Sequence, residues 1–264
     1  MAISLIRIIK ESLIKFQRKL LGDKLWKNYF KYKEKIFINK FDNKYIVLYH
    51  SSTESLFSDL CDKHGSDKGS LKNTSPYYNW QSHTYADYYS GLFAHCRNKV
   101  LNVFECGIGT NNPKLKSNMT ITGRPGASLR VWRDYFPKAQ VIGADIDKDI
   151  LFKEERIETF MLDQTNEDSI RNFWSQVKAI EFDLMVDDGL HHFSAGITLF
   201  KNSVHRLAPD GVYVIEDVNF KDLAKYLEWF KTRGEYFVDY VLMSNLNRSA
   251  DGNSLISIRK STFQ

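Results

Sequence analysis

Short apolar runs alternate with amphipathic stretches along most of the second half of this 264-residue chain. The runs are Val100–Glu105, Gln140–Asp145, Ile157–Leu162, Phe182–Val186 and Gly211–Ile215. Each is near-continuously apolar, as expected of a strand buried on both faces. Between them, residues 127–136, 167–178 and 193–207 carry apolar side chains at helical spacing. Such alternation predicts right-handed crossovers and a mostly parallel sheet with helices on both sides. Near the end, Phe237–Met243 and Ser254–Arg259 flank the turn-forming stretch Asn247–Gly252. That pattern predicts a terminal antiparallel hairpin with Asp251-Gly252 as its turn.

The first half reads differently. Ile6, Ile9, Leu13, Phe16 and Leu20 recur at helical spacing between basic residues, predicting an amphipathic helix. A second helix is predicted over 24–35, a short strand within 43–50, helix over 51–64, loop over 65–82 and helix over 85–95. Charge separates the two regions. Residues 1–50 hold twelve Lys/Arg and four acids, a net of +8 in a chain that is +5 overall, so residues 51–264 are net −3. The expected organisation is a basic helical extension (1–50) followed by one catalytic-type α/β domain (51–264).

The extension is suited to anionic lipid, a phosphorylated substrate or an acidic partner, or is simply a solvated helical face. No nucleic-acid module accompanies the charge, so nucleic acid is not expected as a partner. The N-terminus has neither a clean apolar core nor a small-residue cleavage site, and no apolar run reaches membrane-spanning length. Cys61, Cys96 and Cys106 are odd in number and widely spaced, which suits a reducing compartment and not a zinc site. A cytoplasmic protein is expected, with residues 1–40 as a contact to the inner membrane face or a complex. The N-terminal helices are also expected subunit contacts in a homo-oligomer.

Candidate chemistry sits at the ends of the predicted strands. Val103-Phe104-Glu105-Cys106-Gly107-Ile108-Gly109 closes the first, and Gly107 and Gly109 allow a tight turn close to a ligand. The spacing lacks the third glycine of a dinucleotide fingerprint. Asp145 ends the second strand, where a carboxylate accepts the ribose hydroxyls of an adenosyl group. Asp163 and Gln164 end the third and suit an adenine amine. The turn Gly126-Ala127-Ser128 opens a helix whose N-terminus suits a ligand carboxylate. Between these lies the long loop 110–125, a length that is often functional.

Asp187-Asp188-Gly189-Leu190-His191-His192 ends the fourth strand and Glu216-Asp217 the fifth. Carboxylates crowded in this way repel one another unless a cation or proton intervenes, and oxygen ligands suit a hard ion. Asp188, Glu216 and Asp217 are therefore the expected ligands of Mg2+ or Mn2+. His191 is the expected general base, since an unperturbed imidazole accepts a proton near neutral pH. The bland alternative is that the acids cap helices and the histidine is structural.

Four motifs in order carry a family resemblance. They are Phe104–Gly109, Pro125–Trp132, Val186–His191 and Tyr213–Asp217. The stretch 60–220 resembles the metal-dependent sugar O-methyltransferases of macrolide antibiotic pathways and related enzymes of bacterial capsule and surface-polysaccharide clusters. The resemblance implies a Rossmann-like class I methyltransferase with a seven-stranded sheet and S-adenosyl-L-methionine as cofactor. It implies the same cation ligands and base as above, and an acceptor sugar that is nucleotide-activated or part of a glycan. It also places the segments Lys63–Gly69 and His83–Tyr85 beside the cofactor, which brings in Lys68, His83 and Tyr85, and it groups Glu105 and Asp187 with the same site. Leu190 departs from the small polar residue common there. Two other functions fit the residues: a catechol-type O-methyltransferase for a small diol, and a non-catalytic scaffold that keeps the cofactor fold.

Overall fold

The computed structural model describes residues 54–69, 76–78, 80–179, 181–244 and 249–261, the backbone of 46–50, and scattered helical positions between 22 and 36. The amphipathic pattern at Ile6–Leu20 lies outside the described residues. The helical positions between 22 and 36 match the second predicted helix.

Nine strands form one sheet: β1 (Ile46–His50), β2 (Asn102–Cys106), β3 (Gln140–Asp145), β4 (Lys153–Glu154), β5 (Ile157–Met161), β6 (Phe182–Asp187), β7 (Leu207–Ile215), β8 (Tyr236–Ser244) and β9 (Ser254–Lys260). Their order is β1-β8-β9-β7-β6-β2-β3-β5-β4. All eight strands read from the sequence are present, the short one within 43–50 as β1, and the two-residue β4 is added at the other edge, so the sheet has nine strands where the resemblance implies seven. β2, β3, β5, β6 and β7 run parallel, and β9 is antiparallel to both β7 and β8. β1 pairs in parallel with β8, so the sheet begins before the 50/51 boundary read from charge.

Alternation along each central strand explains the layers. Val103, Val141, Leu184 and Val214 face one cluster with Phe57, Tyr89, Leu129 and Trp132. Phe104, Ile142, Met185 and Tyr213 face the other, with Phe173, Trp174, Phe200 and Tyr226. Helices α1 (Leu56–His64), α2 (Tyr85–Phe93) and α3 (Ala127–Tyr135) cover the first face. Helices α4 (Glu167–Gln176), α5 (Phe193–Ser203) and α6 (Phe220–Phe230) cover the second. Three of these starts have side-chain caps: Ser55 accepts from Ser58 N, Asn166 from Ser169 N and Asn219 from Asp222 N. Each such cap contributes about 1 kcal/mol.

The terminal hairpin differs from expectation in its turn. β8 pairs with β9 as far as Leu242 opposite Ser254, so the two strands are joined by a long connection. Asp251-Gly252 sits at its far end, where Asp251 Oδ1 accepts from Phe220 N and caps the approach to α6. Asn253 Nδ2 donates to Met243 O across the neck of the loop. A tight two-residue turn is replaced because Asp251 is engaged with another element.

The chain leaves β2 toward β3 and β5 on one side, while β6 and β7 lie on the other. The crevice beyond the carboxyl ends of β2 and β6 is thus a topological switch point, the usual ligand site of open α/β sheets.

Candidate active site

A cavity of about 680 Å3 opens at that switch point. Its floor is the turn after β2. Gly107 N donates to Ala144 O, Asp188 N donates to Cys106 O, and Gly126 N donates to Ile108 O, so the ends of β2, β3, β6 and the start of α3 are tied together. Gly107 has φ +87°, and a Cβ there would lie 2.2 Å from the carbonyl oxygen of Asp188. Only glycine permits this approach.

At the β3 end, both Asp145 carboxylate oxygens accept backbone N–H groups, Oδ2 from Ile108 and Oδ1 from Asp147, each at 2.9 Å. Asp145 still lines the cavity, together with Gly107, Gly109, Ser128 and Asp163. Asp163 Oδ1 accepts from the Thr165 amide and hydroxyl. Gln164 also lines the cavity, but its amide is engaged: Nε2 donates to Asp187 Oδ1 at 3.1 Å and Oε1 accepts from Leu190 N at 2.6 Å. It holds the loop after β6. Loop 110–125 lines the cavity with Thr110 and residues 114–119, and is fixed by Met119 N to Thr110 O and by Asn111 Nδ2 to the carbonyls of Thr120 and Gly123.

Two of the grouped residues lie behind the cavity wall. Glu105 is fully buried, with Oε2 accepting from Trp132 Nε1 at 2.8 Å. Burial pushes its carboxyl up to about 7, against the opposing pull of Lys68. Asp187 is buried beside Gly196 and Tyr226, and burial raises it to about 6. Neither lines the main cavity.

The acidic end is more elaborate than the sequence suggested. Lys68, 2% exposed, places Nζ 2.6 Å from Asp188 Oδ2, 3.5 Å from Glu105 Oε1 and in a short contact with Glu216 Oε2. Burial opposes its charge, but Asp188, Glu216 and Glu105 hold the ammonium well above its ordinary value. The turn that carries Lys68 is anchored by Ala86 N to Lys68 O and His83 N to Asp67 O, which lock it to the start of α2. Glu216 Oε1 accepts from Tyr89 at 2.6 Å. Its carboxylate is therefore directed to Lys68 and Tyr89.

Asp188, His191 and Asp217 come together instead, each offering a ligand atom within 4.8 Å of the others. His191 Nε2 is 3.1 Å from both the carbonyl oxygen and Oδ1 of Asp188, and Nδ1 is 3.9 Å from Asp217 Oδ2. Asp217 Oδ1 accepts from Tyr85 at 2.7 Å and lies 2.9 Å from His83 Nδ1. Burial works against ionisation of Asp217, yet His83 and His191 hold it well below the usual carboxylate range. Burial also disfavours a charged His191, but Asp217 and Asp188 outweigh it and raise the imidazole to about 10. Both His191 and Asp217 have φ of +54°, and Thr84, beside His83, has +63°. Left-handed backbone at non-glycine residues is costly and gathers at functional sites.

Glu105, Asp188, Glu216 and Asp217 outnumber the one lysine among them. A buried surplus of carboxylate calls for protons or a cation. The oxygen-rich donor set of Asp188 and Asp217 fits a hard divalent ion, with His191 adjacent. Sequence reasoning did not pick out Tyr89 or Trp80. Tyr85 and Tyr89 lie one helical turn apart on α2, a spacing that puts both hydroxyls on the face toward Glu216-Asp217.

No family model matches the sequence. Among curated proteins, the 8-demethyl-8-alpha-L-rhamnosyl tetracenomycin-C 2'-O-methyltransferase of Streptomyces olivaceus is 33% identical over 159 residues, 60% of this chain and 36% of that protein. The mycinamicin VI 2''-O-methyltransferase of Micromonospora griseorubida is 31% identical over 137 residues, 52% of this chain and 32% of that protein. The chain thus spans about a third of the length of these relatives. Among solved structures, the MycE methyltransferase of the mycinamycin pathway, in complex with Mg and SAH, superposes with a TM-score of 0.56 at 21% identity, covering 80% of this chain and 56% of that one. The fold is that of a class I methyltransferase. Its resemblance to the sugar O-methyltransferases of antibiotic pathways covers more than half of the chain. Among the described residues, no helix is long and apolar enough to cross a membrane.

Proposed function

We propose that the protein is an S-adenosyl-L-methionine- and Mg2+-dependent O-methyltransferase acting on a sugar hydroxyl. The observation that carries this reading is the convergence of Asp188, His191 and Asp217 within 4.8 Å on the wall of a cavity also lined by the Gly107 turn after β2 and by Asp145 at the end of β3. An adenosyl cofactor fits the second part, with Asp145 toward ribose and the start of α3 at Ala127-Ser128 toward a carboxylate. The matched relatives are named for sugar O-methylation, and the solved structure of MycE is described with Mg and SAH. The finer assignment, an acceptor in capsular or surface-polysaccharide synthesis, rests on the four-motif resemblance, whereas the relatives are named for antibiotic sugars.

A divalent cation bound by Asp188 and Asp217, with Glu216 behind them, would acidify and orient an acceptor hydroxyl. His191 takes the hydroxyl proton. With a cation at Asp188 and Asp217 drawing the imidazole down from about 10, its Nε2–H would donate to Asp188 and leave Nδ1 as the accepting atom. Tyr85 and His83 fix Asp217, while Gln164 fixes the loop that carries Asp188 and His191. Incubation with labelled cofactor, Mg2+ and a panel of sugar acceptors tests the function. Transfer that stops with EDTA and in His191→Ala is expected. Undiminished transfer under chelation removes the metal-assisted reading, and transfer only to catechols favours the small-diol alternative.

A further inference from the structure

The cavity has a second electrostatic character at its rim. Lys114 and Lys116 lie on loop 110–125, both line the cavity, and both are exposed. Neither makes an ion pair among the described residues, although acids dominate the deep end a short way inside. The rim is a defined surface. Loop 110–125 is tied to Tyr77 by Thr122 Oγ1 donating to Tyr77 O at 3.1 Å, and the Arg124 guanidinium packs over the Tyr77 ring. Just beyond Tyr77 in sequence, Trp80 also lines the cavity, with its indole oriented by Nε1 donating to Asp67 Oδ2 at 2.7 Å. One opening thus presents an oriented aromatic face and two lysines without acidic partners.

Resting on the methyltransferase reading, we propose that the acceptor carries a phosphate or diphosphate ester, bound by Lys114 and Lys116, with Trp80 as the platform for a ring of the same molecule. A neutral glycosylated natural product would make no use of these two solvated ammonium groups. A phosphorylated sugar satisfies them while its free hydroxyl reaches inward to His191. Aromatic faces are the usual surface for sugars and bases, and lysine is a flexible point-charge partner for phosphate.

The test uses the full chain with Mg2+, saturated with S-adenosylhomocysteine, titrated calorimetrically with uridine diphosphate, glucose 1-phosphate and uridine. Binding of one or both phosphorylated probes that weakens as salt rises is expected, with uridine at least about tenfold weaker. The double substitution Lys114→Gln/Lys116→Gln is expected to weaken the phosphorylated probe by about ten- to thirtyfold while leaving S-adenosylhomocysteine affinity unchanged. Tighter uridine diphosphate than glucose 1-phosphate identifies a nucleotide-linked acceptor, and the reverse a simple sugar phosphate. The proposal is overturned if neither phosphorylated probe binds, if uridine binds as well, or if the double variant binds the probes as the parent does. It is also overturned if the loss falls on S-adenosylhomocysteine, which would assign the lysines to the cofactor carboxylate. Failure of the parent protein to bind S-adenosylhomocysteine at all is a separate result that defeats the methyltransferase reading itself.

Discussion

Replacing Lys68 by methionine probes the acidic end directly. The ammonium is 2% exposed and lies among Glu105, Asp188 and Glu216, two of which have fully buried side chains. Methionine fills much of the same space, so the change is mainly one of charge. Removing one partner of a buried ion pair costs about 3–5 kcal/mol, because the carboxylates left behind are desolvated and repel one another. For a chain of this size that corresponds to roughly 6–20 °C in melting temperature. The pH dependence has a fixed sign. Glu105 is already raised from its ordinary 4.5 to about 7, so the folded state takes up protons there more readily than the unfolded state. Loss of Lys68 raises it and Glu216 further. The penalty is therefore full only well above pH 7 and shrinks as pH falls toward 7, where the variant neutralises carboxyls that the parent still ionises. Mg2+ is expected to restore part of the loss by supplying the missing positive charge. Thermal melts of parent and Lys68→Met at pH 5, 7 and 8, with and without Mg2+, measure all three effects. A variant as stable as the parent at pH 8, or a penalty that grows on acidification, would refute the reasoning.

His191 is expected to titrate near 10 in the metal-free protein, so its favourable contribution is complete below about 6.5 and is lost as pH rises through 10. Nitrogen-15 NMR of the imidazole should show this value dropping toward neutrality when Mg2+ screens Asp188 and Asp217, and a titration unmoved by Mg2+ contradicts the role assigned to it. Gly107→Ala should cost more than about 2 kcal/mol and abolish S-adenosylhomocysteine binding, since its φ of +87° and the 2.2 Å approach to the Asp188 carbonyl leave no room for Cβ. Retained binding affinity would show that the turn is not built around that contact. Trp132→Phe removes the indole donor to buried Glu105 and should cost about 1.5–3 kcal/mol in urea denaturation. A midpoint equal to the parent's would mean that the carboxyl is satisfied another way.

The sheet was legible because its central strands are apolar on both faces, a pattern confined to short windows of sequence. Helix α6 was not read, although Phe220, Leu223, Tyr226, Leu227 and Phe230 have helical spacing behind the Asn219 cap. The strand-end carboxylates were equally visible, since topology alone brings the ends of β6 and β7 together. Their individual aims were not. Glu216 turns to Lys68 and Tyr89, residues 148 and 127 positions away, and Gln164 turns to Asp187 and Leu190. Adjacent positions at a strand end point to opposite sides of the sheet, so Glu105 and Asp187 can sit in ligand-binding motifs and still lie behind the wall. Which neighbour claims a polar side chain is decided by contacts far apart in sequence, and no local pattern records them. The Asp251-Gly252 turn was displaced for the same reason, by a hydrogen bond to Phe220.

Electron paramagnetic resonance of Mn2+ added to the protein saturated with S-adenosylhomocysteine bears most directly on the whole account. One bound ion per chain is predicted, displaced by Mg2+ and lost in Asp188→Asn/Asp217→Asn while S-adenosylhomocysteine stays bound. Free Mn2+ alone in the parent's spectrum, or an ion held equally well by the double variant, would contradict it.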